Sequence, residues 1–137
     1  DQNLYQAPKS AATAQCCAGK DGVIILCAGC ADGMGGENFK KYLSSGPIEE
    51  IDALLRTYEP SQTPAETWCV QILCRILRNH KLILVSTLDR ELVEKCNMIP
   101  AADLDEAMEK AYAIKGSDAK VVVIPDGVAA LIIKEEH

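Results

Sequence analysis

Residues 23–39 read Val-Ile-Ile-Leu-Cys-Ala-Gly-Cys-Ala-Asp-Gly-Met-Gly-Gly-Glu-Asn-Phe, an apolar run that leads into a glycine-rich turn. The run from Val23 to Ala28 is short and continuous, as in a strand that is covered on both faces of a sheet. The glycines that follow allow the backbone to turn sharply, and Glu37 stands where a carboxylate favours the start of a helix. The stretch therefore predicts the strand–turn–helix unit of an α/β fold.

The glycine-rich turn is the first candidate site, and its residues are Asp32, Gly33, Gly35, Gly36 and Glu37. Ligands of open α/β sheets usually bind beyond the carboxyl end of a strand, and backbone N–H groups at a helix start can receive an anion. Asp-Gly-Met-Gly-Gly is not the full G-x-G-x-x-G pattern, so the turn can equally be a simple connection. One hypothesis is thus a nucleotide- or anion-binding module that uses the Gly33–Gly36 loop.

Strand and helix signals alternate along the whole chain. Two features favour particular helix starts: Pro8 suits a first helical position, and Thr63-Pro-Ala-Glu66 reads as a capping box. The alternation predicts a three-layer α/β fold, Rossmann-like, with a mostly parallel sheet and helices on both faces, in a single domain over residues 1–137. Predicted helices cover 8–17, 37–43, 63–79, 89–94 and 103–115, with a further one opening at Pro47; predicted strands cover 23–28, 81–86, 120–124 and 128–133, the last two as an antiparallel edge, and 98–99 is a short extended piece.

Length and charge exclude several classes of function. The chain has 137 residues and a formal net charge of −6, with no basic stripe that could meet nucleic acid or an anionic membrane surface. No apolar stretch approaches the roughly 20 residues that span a bilayer. The chain lacks an initiating Met, which suggests a piece of a longer polypeptide, and His137 is either native or the first residue of a tag.

Seven cysteines, an odd number, lie mostly within apolar patterns. This distribution favours reduced core thiols and a cytoplasmic setting over a disulfide framework. Cys27-x-x-Cys30 offers an alternative, a stand-alone thiol redox protein, although a redox thiolate is typically exposed at a helix start and Cys27 falls inside the predicted strand. A zinc site would need a second ligand pair, and Cys69 and Cys74 have the wrong spacing for one.

Polar residues gather around the first predicted helix start, where Tyr5, Gln6 and Lys9 stand close in sequence. They are either a solvated helix end or a binding edge for a carboxylate, with Lys9 as the cation and the other two as hydrogen-bond partners. Trp68, the single tryptophan, is favoured as a core residue by its place in a helix. The chain has only two histidines, so a histidine-driven acid–base reaction by this chain alone is not expected.

Four motifs in the same order resemble a known family. They are Asp1-Gln-Asn-Leu-Tyr-Gln-Ala-Pro-Lys9, Ala31-Asp-Gly-Met-Gly-Gly-Glu-Asn-Phe39, Met98-Ile-Pro-Ala101 and Val123-Ile-Pro-Asp-Gly127. Over nearly its whole length the chain resembles the C-terminal domain of the nickel-pincer-dependent lactate racemases. It departs from that pattern at Met34, where relatives often carry His.

The resemblance implies a division of labour within a longer isomerase. An N-terminal catalytic domain would hold the nickel pincer nucleotide and the acid–base histidines, and a 2-hydroxy acid would lose and regain its Cα hydride there. The C-terminal domain would close over that site, with Tyr5, Gln6 and Lys9 on the substrate side, Lys9 favouring the carboxylate, and Trp68 as a wall. This chain alone would then carry no catalytic residue and no metal or cofactor, and it would be inactive.

Overall fold

The computed structural model describes residues 2–133, so Asp1 and His137 lie outside the described residues. Three short strands and six α-helices alternate, with one turn of 3-10 helix at Pro60–Gln62. The strands are β1 (Val23–Cys27), β2 (Lys81–Val85) and β3 (Ile99–Ala101). The helices are α1 (Pro8–Ala14), α2 (Glu37–Leu43), α3 (Ile48–Leu55), α4 (Thr67–Leu77), α5 (Arg90–Lys95) and α6 (Leu104–Lys115).

The sheet has the order β1-β2-β3, and both pairings are parallel. Alternate side chains of each strand point to opposite faces, as the pleat requires. Ile24, Leu26, Leu82 and Leu84 belong to the large core shared with α1 to α5, whereas Ile83 packs on the other face with Ala101 and Ala107 of α6. The predicted three-layer α/β fold with a parallel sheet and helices on both faces is therefore confirmed.

Two predicted strands are wrong. Residues 120–124 and 128–133 are not strands in the structure, and the antiparallel edge that they were expected to form is absent from residues 2–133. Their β-branched residues have the right propensity, but propensity produces a strand only where a partner strand and a covering layer exist. The third strand is instead the short piece Ile99–Ala101 beside β2.

The start of α4 also differs from the prediction. The helix begins at Thr67, with Glu66 before it in a left-handed conformation at φ 71°. The Thr63 hydroxyl donates to the carbonyl of Glu59 at 3.2 Å and does not cap the helix. Thr63-Pro-Ala-Glu66 is therefore not a capping box, and the side chain of Glu66 is free to bond elsewhere.

Candidate functional site

Tyr5 and Trp68 form the centre of the candidate site. The indole Nε1 of Trp68 donates to the Tyr5 hydroxyl at 2.9 Å, and the two rings meet edge to face with centroids 5.9 Å apart. On its other side Tyr5 packs edge to face on the buried ring of Phe39, 5.6 Å away. Trp68 is 47% exposed, so the expectation of core packing for this residue is wrong.

The Tyr5 hydroxyl is arranged as a hydrogen-bond donor. Desolvation raises the pKa of Tyr5 above its ordinary value, so the phenol stays protonated at neutral pH. Because the oxygen already accepts the indole N–H, its own proton is available for another acceptor. The group can therefore donate to an oxygen of a molecule bound against Trp68.

Lys9 and Gln6 form a second pair at the same helix start. The Lys9 ammonium donates to Oε1 of Gln6 at 2.8 Å on the exposed side of the chain. An ammonium has three N–H donors and an amide nitrogen has two, so both side chains keep donors beyond this bond. The structure thus places Tyr5 and Gln6 in the turn before α1 and Lys9 in the first turn of α1. Trp68 in the first turn of α4 contacts Tyr5.

The glycine-rich turn is hydrogen-bonded to the segment that carries Tyr5. The backbone N–H of Leu4 donates to the carbonyl of Gly33 at 3.0 Å, and the N–H of Tyr5 donates to the carbonyl of Met34 at 3.1 Å. Gly33 and Gly35 have positive φ values of 71° and 87°, which glycine adopts without strain. Asp32 and Glu37 are exposed. The turn therefore fixes the segment that carries Tyr5, with Met34 buried in the core.

The carboxylate of Glu66 lies at the start of α2, where the sequence predicted a possible anion-binding site. Its Oε2 accepts from the backbone N–H of Asn38 at 3.1 Å and of Phe39 at 3.3 Å, two of the free amides in the first turn of α2. A Cβ at Gly36 would lie 2.5 Å from that same carboxylate oxygen. These amides already bind a carboxylate, so they are not open to a phosphate group.

Glu66 is the residue that sequence reasoning missed. It ties α2 to the start of α4, two residues before Trp68, across 28 residues of sequence. The only local signal, an acidic residue near a helix start, pointed to the wrong helix. Long-range bonds of this kind leave no periodic trace in a single sequence.

The thiols of Cys27 and Cys30 do not form a reactive pair in the structure. All seven cysteines are free; Cys27 is exposed and Cys30 is buried. Burial raises the pKa of Cys30, which disfavours the thiolate that redox chemistry needs. The geometry gives no support to the alternative of a thiol redox protein.

The described residues hold no group of three His, Cys, Asp or Glu side chains that could bind a metal ion. The His80 ring lies at the end of α4 within 3.3 Å of the carbonyls of Ile76 and Ala18. Between residues 2 and 133, no helix has the length and apolar character that crossing a membrane requires.

The fold and the cluster define an α/β domain that gathers a cation, an amide, a phenol and an indole at one end of α1 and α4. The chain belongs to the lactate racemase C-terminal domain family, whose model matches residues 1–132.

Characterised relatives agree with this assignment. The chain is 44% identical over 135 residues to a lactate racemase of Lactiplantibacillus plantarum and 40% identical to one of Thermoanaerobacterium thermosaccharolyticum. In both cases the match covers 96% of this chain and 32% of the relative. The solved structure of the lactate racemase apoprotein from T. thermosaccharolyticum superposes with a TM-score of 0.93 at 38% identity, covering 98% of this chain and 33% of that one. The chain thus spans about one third of the relatives it matches.

Proposed function

We propose that this chain is the C-terminal domain of a 2-hydroxy-acid racemase or epimerase and that it contributes substrate contacts to the active site. The observation that carries the proposal is the donor cluster at the start of α1. Tyr5 presents an O–H group beside the indole of Trp68, and the pair Gln6 and Lys9, close to Tyr5 in the chain, presents N–H groups and one positive charge. A 2-hydroxy acid offers the complement, since its carboxylate and hydroxyl oxygens accept hydrogen bonds.

Each residue has a role that follows from its contacts. Lys9, steadied by Gln6, pairs with the substrate carboxylate, and Gln6 donates through its amide nitrogen. Tyr5 donates its remaining proton to a substrate oxygen, while the indole of Trp68 forms a wall that excludes water from one side. Family membership supports the isomerase activity for the full-length protein, and this chain alone is proposed to be inactive.

The cofactor belongs to the same proposal. The family resemblance implies that a nickel pincer nucleotide, held by the N-terminal catalytic domain, would supply hydride transfer. The described residues of this chain do not fit a nickel site, because no three potential ligands come together. We therefore derive no step through the cofactor, and we propose that this chain binds and orients the substrate. Free thiols at all seven cysteines support a reducing, cytoplasmic setting.

The test is racemisation by the full-length polypeptide, purified after co-expression with the machinery that makes the cofactor. A panel of 2-hydroxy acids is offered to the wild type, to Lys9→Ala and to Lys20→Ala, which removes another exposed lysine outside the cluster. Loss of a charge-assisted hydrogen bond of about 1.5–3 kcal/mol predicts a roughly 10- to 100-fold fall in kcat/KM for Lys9→Ala alone. Equal activity of the three proteins would remove the proposed site, and no activity on any acid would remove the proposed reaction.

A further inference from the structure

The C-terminal arm, residues 119–133, is an apolar segment on the outside of the molecule. Between Val121 and Ile133 stand six of the eleven large hydrophobic side chains that are exposed among the described residues. Val123 is 79% exposed, Leu131 83% and Ile133 77%. Over the same 15 residues the sequence has only two charges, Lys120 and Asp126. Contiguous apolar exposure on this scale marks a surface that another body covers.

The backbone of the arm is prepared for strand pairing but has no partner strand here. The runs Val121–Ile124 and Leu131–Ile133 are rich in β-branched residues, and the sequence alone predicts both as strands. No backbone N–H of residues 121–124 donates a hydrogen bond to another residue of the range 2–133. Unpaired amides next to exposed valines are the features of a strand that is added to the sheet of a partner.

The middle of the arm is held on α1. The Thr13 hydroxyl donates to the carbonyl of Gly127 at 2.6 Å, and a Cβ at Gly127 would lie 2.8 Å from that of Ser10. Asp126 closes the turn by accepting from the N–H groups of Val128 and Ala129 at 3.2 Å. Thr13 lies one helical turn after Lys9, so a body that covers the arm lies beside the helix that carries the candidate site.

We propose that the arm docks onto the remainder of the same polypeptide, with Val121–Ile124 pairing as a strand there. Two observations select this occupant. The chain spans only 32% of its curated relatives, and its family is a C-terminal domain, so a larger body precedes it in those proteins. The tether also makes docking intramolecular, which favours a contact too small to hold two separate molecules. The inference rests on the proposed function only in taking that body as the partner.

The test is hydrogen exchange followed by mass spectrometry on the full-length polypeptide. We expect peptides covering residues 119–124 to exchange roughly 100-fold or more slowly than an unstructured chain. Val122→Lys combined with Leu131→Lys should abolish that protection, whereas Leu54→Lys, an exposed apolar residue on α3, should not. Amide hydrogen exchange requires neither cofactor nor turnover, so the experiment tests docking of the arm even if the protein has no racemase activity.

Two results would overturn the proposal. The first is exchange of residues 119–124 at the unstructured rate in the full-length protein. The second is protection that disappears on dilution together with a change from dimer to monomer in size-exclusion chromatography, because a second copy would then be the occupant.

Discussion

Tyr5 shows how single residues build the candidate site. Its ring is held between Phe39 and Trp68, and its hydroxyl accepts one hydrogen bond while keeping a proton to donate. The polar grouping of Tyr5, Gln6 and Lys9 could be predicted from the sequence because the three residues are neighbours in the chain. The contact with Trp68 could not, because it joins residues 63 positions apart.

Replacing Tyr5 by Phe tests the donor role directly. The variant keeps the ring packing and removes only the hydroxyl, so we expect a roughly 3- to 10-fold fall in kcat/KM of the full-length protein. The free energy of unfolding should change by less than about 1 kcal/mol, because the half-exposed indole N–H can bond to water instead. Tyr112→Phe, on the exposed side of α6, is the matched control. Unchanged kinetics of Tyr5→Phe would contradict the donor role.

The thiols give a second prediction at this scale. Burial raises the pKa of Cys74 and of Cys96 to about 11 and also raises the pKa of Cys30. With a thiol-reactive chromophore at neutral pH, the exposed Cys16 and Cys27 should react within minutes, and these three should react only after unfolding. Rapid reaction of Cys30 in the native protein would instead revive the redox alternative.

Elements follow the sequence where a local pattern and a tertiary partner agree. Helix α6 runs from Leu104 to Lys115, in agreement with the predicted range 103–115, because the cap Asp103 and the closing Gly116 are both local signals. The strands predicted at 120–124 and 128–133 are absent, since strand formation depends on a neighbour that the sequence does not specify. Glu66 is an intermediate case. The sequence predicted the helix that follows it, α4, but not the hydrogen bond from α2 to its side chain.

Glu66→Gln tests the bond that joins α2 to α4. An amide oxygen accepts more weakly than a carboxylate, so we expect the free energy of unfolding to fall by roughly 1–2 kcal/mol. Chemical denaturation measures the change, with the exposed Glu59→Gln as control. If both variants lose the same stability, the contacts of Glu66 with Asn38 and Phe39 contribute nothing specific.

The junction of α5 and α6 predicts a pH dependence. Glu106 accepts hydrogen bonds from Arg90 and Lys110 and from the N–H of Ala102, which together hold its pKa well below its usual range. A lowered folded-state pKa means that this stabilisation is full above the unfolded pKa of about 4.3 and is lost as the pH falls further. The free energy of unfolding of Glu106→Gln should therefore be lower than that of wild type at pH 7, and the difference between the two proteins should narrow below pH ~4. Glu109→Gln, at an exposed position of α6, should have the same free energy of unfolding as wild type at both pH values.

At the scale of the whole molecule, the two faces of the sheet are unequal. Among residues 2–133, the face covered by α1 to α5 contributes to a core of 24 buried residues, whereas the α6 face has a core of three: Ile83, Ala101 and Ala107. The alternation of elements predicted β1, β2 and helices on both faces of a parallel sheet. It did not predict this imbalance, because burial depends on which helices share a face.

The imbalance predicts that α6 opens before the rest of the domain. A layer held by few buried side chains separates at a lower free energy than global unfolding, so native-state hydrogen exchange should show α6 amides exchanging well before those of β1 and β2. Ile83→Ala, which empties the small core, should lower the opening free energy of α6 by roughly 2–4 kcal/mol. Ala113→Gly, at an exposed position of α6, should lower it by only about 1 kcal/mol. Exchange of α6 and β2 with one common free energy would show instead that the two faces unfold as a single unit.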